Sequence, residues 1–201
     1  MGSGRNSWSL GLLVLLFAGR VGAVGLEVVS SDSSVFPLGL VDVSVVVSGL
    51  GNGAPPSIGA FDLELQFDDT LVTLISASVG GSLGDLGLGE AVTGTVANAT
   101  DVDVFEVSLL TSTQLDVLQT DSFTLFTVTF KGIGPGTAAF NVALNAPLSD
   151  GLGDPFVTPT LTNLTVEVLQ PIPVPALTPW ALALLLLSLL SVGLLRLRRK
   201  G

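Results

Sequence analysis

Residues 41–48 read VDVSVVVS and residues 61–67 read FDLELQF, with the apolar side chains on every second position in both. Period two puts Val41, Val43, Val45 and Val47 on one side of an extended segment, and Phe61, Leu63, Leu65 and Phe67 on one side of another. That is the pattern of a strand with one face buried and one face wet. Further strands are predicted at 26–30, 71–76, 92–97, 104–110, 123–130, 137–144 and 162–168, separated by turn-rich stretches such as GLGNGAPPSIG and GIGPGT. No stretch between the two ends keeps an apolar 3.6-residue period for three turns. A parallel sheet would need crossover helices, so the pattern predicts an all-β fold, a single β-sandwich over residues 24–170.

The ends follow a different rule. Arg5 precedes the apolar run LGLLVLLFA, and GRVGA follows it, with Val21 and Ala23 at the positions a small-residue cleavage site needs. Residues 1–23 therefore read as a secretory signal peptide cut after Ala23. At the other end, residues 180–195 are apolar apart from Ser188, Ser191 and Gly193, and as a helix they would extend roughly 24 Å, just enough for a thin membrane. Arg196, Arg198, Arg199 and Lys200 come next and, by the positive-inside bias, stay cytoplasmic. The domain is expected outside.

Charge is partitioned in the same way. All seventeen Asp and Glu lie between Glu27 and Glu167, where Lys131 is the one basic residue. Such a domain repels phosphate backbones, which argues against a nucleic-acid partner. The sequence has no Cys and no His, so thiolate chemistry, disulfides and the commonest general base are excluded together. Candidate oxygen-ligand groups for calcium are Asp68 with Asp69, Asp101 with Asp103, and Asp150 with Asp154, none at EF-hand spacing. They read first as turn-capping carboxylates. No metal site and no cofactor is assigned, with calcium kept as the minor alternative. Paired carboxylates could also serve a glycosidase, but nothing in the spacing singles out a pair, and no catalytic residue is assigned. Stacking platforms for sugars are lacking between the ends, where there is no Trp or Tyr.

Two resemblances add to this reading. Val174, Pro175, Ala176, Leu177, Thr178, Pro179, Trp180 and Ala181, followed by the apolar span and the basic stub, resemble the bacterial C-terminal sorting signals of the PEP-CTERM type and its IPTL-CTERM variant. Pro175, Leu177 and Trp180 match that variant's pattern, while Val174, Ala176, Thr178 and Ala181 depart from it conservatively. The resemblance implies that residues 171–201 form a sorting signal, with its motif at 172–181, recognised by an exosortase-like transpeptidase. The protein would then sit transiently in the inner membrane before reaching the cell surface or extracellular matrix. The alternative is a permanent anchor.

The second lies inside the domain. AFDLELQFDDTLVTLISAS (60–78) and FTLFTVTFKGIGPGTAAFNV (123–142) resemble the early and late strand pairs of cohesin-type domains, with Asp69 where that family usually has Pro. This resemblance implies a jelly-roll sandwich that binds a protein or polysaccharide ligand. It encodes no binding residue in a motif, so none is carried over. The expectation is a non-catalytic binding or structural module of the cell envelope, associated with an exopolysaccharide matrix or adhesion. The alternatives are a carbohydrate-binding or calcium-dependent adhesion domain on a permanent anchor, and, least favoured, a glycosidase-like enzyme.

Overall fold

The structure is a computed structural model that describes residues 23–171, together with Leu184 and Leu187, which are helical. The chain divides into two units, Met1–Leu169 and Gln170–Gly201. Among the described residues no helix is long and apolar enough to cross a membrane.

Among the described residues the first unit contains eleven strands: β1 (Gly25–Ser30), β2 (Ser34–Val35), β3 (Leu40–Ser48), β4 (Ile58–Phe67), β5 (Val72–Val79), β6 (Ala91–Ala97), β7 (Asp101–Ser108), β8 (Ser122–Gly132), β9 (Gly136–Asp150), β10 (Thr160–Thr162) and β11 (Leu164–Val168). They form a five-stranded sheet in the order β10-β1-β3-β8-β5 and a six-stranded sheet in the order β2-β11-β9-β4-β7-β6. Pairing is antiparallel except for β1 with β10 and β2 with β11. Apart from β6 and β7, which form a hairpin, each strand is followed by one in the other sheet. The chain therefore winds around a single apolar layer, as a two-sheet sandwich requires.

The two stretches that carry the clearest alternation line opposite walls of that layer. Val41, Val43, Val45 and Val47 of β3, and Phe61, Leu63, Leu65 and Phe67 of β4, are all buried. Between them lie Phe126, Val128 and Phe130 of β8 and Phe140 of β9, each with no exposure. Phe130 meets Phe67 edge-on at 4.8 Å and Phe140 at 4.9 Å, while Phe61 stacks on Phe126 at 6.1 Å. Offset and edge contacts of this kind add specificity to plain area burial.

Three features depart from the sequence reading. β9 starts one residue before the predicted 137–144 and runs six residues beyond it, past Pro147. Proline is accommodated because it falls at a bulge, where the register with β4 shifts between Ala60–Ser149 and Asp62–Ala146; on the other side the Leu148 carbonyl accepts the Phe156 N–H at 2.8 Å and Ser149 bridges Pro155. A helix, α1 (Ser112–Leu118), joins β7 to β8. At two turns it is too short to show a periodic signal, but Thr111 and Gln114 form a reciprocal capping box at its start. Strands β2 and β10, of two and three residues, are likewise too short to carry an alternating pattern.

Gln119, just after α1, is buried, and its amide is fully used. Its Oε1 accepts the Ile58 N–H at 2.7 Å, and its Nε2 donates to the carbonyls of Ile58 at 2.7 Å and Ser82 at 3.1 Å. One side chain thus ties the first residue of β4 to the loop after β5.

Candidate interaction face

The solvent side of the six-stranded sheet gathers most of the unusual chemistry. Alternation along β4 turns Asp62, Glu64 and Gln66 outward, and β7 turns out Asp101, Asp103, Phe105 and Val107. Register places Asp103 opposite Glu64 and Asp101 opposite Gln66, so the carboxylates form a compact group. Asn145 of β9 donates from Nδ2 to Asp103 Oδ1 at 2.9 Å and to Asp62 Oδ1 at 3.2 Å. A neutral donor between two carboxylates offsets part of their repulsion without supplying a counter-charge. Gln66 donates to Glu64 at 2.6 Å in the same manner. Next to this group lies a concavity of about 360 Å³ lined by Glu64, Gln66, Asp68, Thr100, Asp101 and Asn141, among others.

Beyond the acids the face becomes apolar. Val92 and Val96 of β6, and Phe105 and Val107 of β7, are all exposed. The Phe105 ring lies across Gly94, where an added Cβ would stand only 2.3 Å from it. Glycine is thus needed at 94 for the ring to lie flat on the sheet. Lys131, the single cation among residues 24–170, lies on β8 in the other sheet.

The remaining predicted groups lie outside the group of four carboxylates. Asp68 accepts from the Thr70 hydroxyl at 2.6 Å and the Thr70 N–H at 2.9 Å; the hydroxyl bond first, then the backbone bond, lowers its pKa from the ordinary value. Asp150 Oδ1 accepts the N–H groups of Leu152 at 2.8 Å and Asp154 at 2.9 Å. Both are turn-capping roles. Among the described residues no three His, Cys, Asp or Glu side chains are grouped to hold a metal ion. Ala23 is exposed and its carbonyl lies close to Gly49, whereas Val24 is buried and its carbonyl accepts the Thr160 N–H at 3.2 Å. The sorting-motif residues Val174, Pro175, Leu177, Thr178 and Trp180, and the basic residues Arg196, Arg198, Arg199 and Lys200, lie outside the described residues.

Glu106 escaped the sequence reading. It occupies an inward position on β7, between Phe61 of β4 and Thr93 of β6, and is 1 % exposed. Its Oε1 has no hydrogen-bond partner, and burial raises its pKa from 4.5 to about 7. The signal lay in DVDVFEVS, whose alternation assigns this carboxylate to the apolar face beside Val102 and Val104.

The fold is that of the cohesin domains. A cohesin in a type I cohesin–dockerin complex from Clostridium thermocellum superimposes with a TM-score of 0.58 at 16% identity, covering 74% of this chain and 100% of that one. A type II cohesin from the cellulosome of Acetivibrio cellulolyticus gives 0.58 at 12% identity, covering 72% and 95%. A cohesin module of a family 33 glycoside hydrolase from Clostridium perfringens gives 0.55 at 12% identity, covering 75% and 98%. At the level of sequence, no family model and no curated protein matches the chain. The alternating strands thus define an all-β sandwich of cohesin type.

Proposed function

We propose that this chain is a non-catalytic protein-binding module of the cell envelope, and that it binds through the outer face of its six-stranded sheet. The observation that carries the reading is the pairing, on that one face, of the Asp62, Glu64, Asp101 and Asp103 group with the exposed strip of Val92, Val96, Phe105 and Val107. A surface with an apolar strip beside a single-sign charge cluster suits a partner that presents basic side chains next to apolar anchors. Similar solved structures are described as cohesin–dockerin complexes, which supports a protein as the ligand. The face offers no Trp or Tyr platform for stacking a sugar. Capture from cell-surface extract on the full chain, with and without calcium, tests this reading. A specific protein eluting with salt in both conditions is the expected result; elution of polysaccharide alone, or only on calcium removal, contradicts it.

The ends supply the address. Residues 1–23 act as a signal peptide, and residues 171–201 act as a sorting signal that holds the exported domain in the inner membrane until an exosortase-like transpeptidase cuts near the motif. This rests on the sequence: a motif containing Pro175 and Trp180 is coupled to a span that is barely long enough, whereas a permanent anchor needs only the span and its charges. Replacing Pro175, Leu177 and Trp180 together by Ala is expected to leave insertion intact and to trap full-length protein in the inner membrane. Immunoblots of fractionated cells check this. Unchanged trimming of the variant, or retention of residues 196–200 in the parent, would establish the permanent anchor instead.

A further inference from the structure

Strand β6 ends the six-stranded sheet, and its seven residues, AVTGTVA, read the same in both directions around Gly94. The strand carries no charge and no proline, although it belongs to a strongly acidic domain. An uncharged edge of this kind leaves the backbone open to another strand. Its hydrogen-bonding direction is fixed by its ends. The Glu90 carbonyl accepts the Leu109 N–H at 2.7 Å, and the Asn98 N–H donates to the Asp101 carbonyl at 3.0 Å. Backbone groups alternate sides along a strand, so Val92, Gly94 and Val96 bond to β7, and Thr93 and Thr95 direct N–H and C=O to the free edge. Ala91 is buried, whereas Val92 and Val96 are 51% and 56% exposed.

We infer that two copies of this chain pair antiparallel through the β6 edges, on a two-fold axis at Gly94. An isologous contact requires residue i to meet j while j meets i. About Gly94 this matches Thr93 with Thr95 of the second copy and Val92 with Val96, so every contact joins identical residue types and no like charges are opposed. The two Thr93–Thr95 pairs make four backbone hydrogen bonds. The Val92 and Val96 side chains meet on the outer face, and the two Phe105 rings, each lying over its own Gly94, flank the axis. The six-stranded sheets then continue into one another, and the two acidic faces lie side by side and free. Five paired residues extend only about 17 Å. The contact falls well short of the roughly 800 Å² per partner of a standard interface, so the pair is weak and exchanging. Because both domains are acidic, salt strengthens it.

The absence of cysteine from the sequence permits a register-specific test. Full chains carrying Val92→Cys and Val96→Cys are mixed in mild detergent and gently oxidised. Directly opposed residues of a non-hydrogen-bonded pair stand about 4.5 Å apart at Cα, within disulfide reach. Two copies of Val92 would be about 13 Å apart. The mixed disulfide is expected at least tenfold above either variant alone, and Thr95→Pro in both chains is expected to reduce it at least tenfold. Thr95 directs its N–H away from β7, so that change leaves the intramolecular ladder intact, which circular dichroism verifies. Equal cross-linking of all combinations would mark association through the apolar ends. That result, no mixed disulfide, or indifference to Thr95→Pro overturns the proposal.

Discussion

Glu106→Gln is expected to stabilise the sandwich at pH 8 by about 2–3 kcal/mol and to leave it nearly unchanged at pH 4. In the folded domain Glu106 keeps its proton up to about pH 7, whereas in the unfolded chain it releases it near its ordinary value of 4.5. Between these values the folded state binds more protons than the unfolded state, so this group's contribution to stability falls as pH rises from about 4.5 and is fully lost above about 7. Its cross-strand neighbours are Phe61 and Thr93, β5 and β6 contain no titratable side chain, and the acids of β4 and the other acids of β7 point outward. Burial is therefore the cause, and removing the charge removes the penalty. Thermal melts of parent and variant from pH 4 to pH 8 give the difference directly. A gap that does not widen with pH would mean that Glu106 reaches water or a partner in solution.

Gln119→Ala is expected to destabilise the domain by about 3 kcal/mol. The change deletes three hydrogen bonds and leaves both backbone groups of Ile58 without partners inside the sandwich. Stranding a buried donor or acceptor costs about 1–3 kcal/mol, far more than trimming an exposed amide. Urea unfolding measures the loss. Gln119→Glu keeps the acceptor for the Ile58 N–H but loses both donors, and is expected to be no better tolerated. A loss below about 1 kcal/mol in Gln119→Ala would show that water replaces the clamp.

How far the sequence reaches depends on which physical rule each feature obeys. Strands β3 and β4 follow period two over nine residues and β8 over seven, from Phe126 to Gly132, and a single slip would put the four buried valines of β3 into water, so their buried sets were readable directly. Helix α1 was not readable, because one buried residue, Leu115, leaves no periodic trace. The extension of β9 was hidden because Pro147 and Asn145 argue against a strand unless the bulge opposite Ala60 and Asp62 is known. Individual carboxylates were visible, but not their meeting. Asp62, Asp103 and Asn145 come together only through the pairing of β4 with β7 and β9, between residues up to 83 positions apart. Gln119 gave no signal at all, since its value lies wholly in what the fold places around it.

One face of the sandwich is expected to meet a partner and the other is not. The most direct measurement is the affinity of the captured envelope protein for full-length variants altered on one sheet at a time. Asp62→Asn, Glu64→Gln and Asp103→Asn together, or Phe105→Ala alone, change the six-stranded face. Asp42→Asn changes the other sheet, where the Asp42 carboxylate accepts from the Thr129 hydroxyl at 2.7 Å. Each of the first two variants is expected to weaken binding at least tenfold, the triple variant with a reduced salt dependence, while Asp42→Asn binds like the parent. Binding that is insensitive to the first two, or lost equally in all three, would contradict the assignment of the outer face of β9, β4, β7 and β6 as the interaction surface.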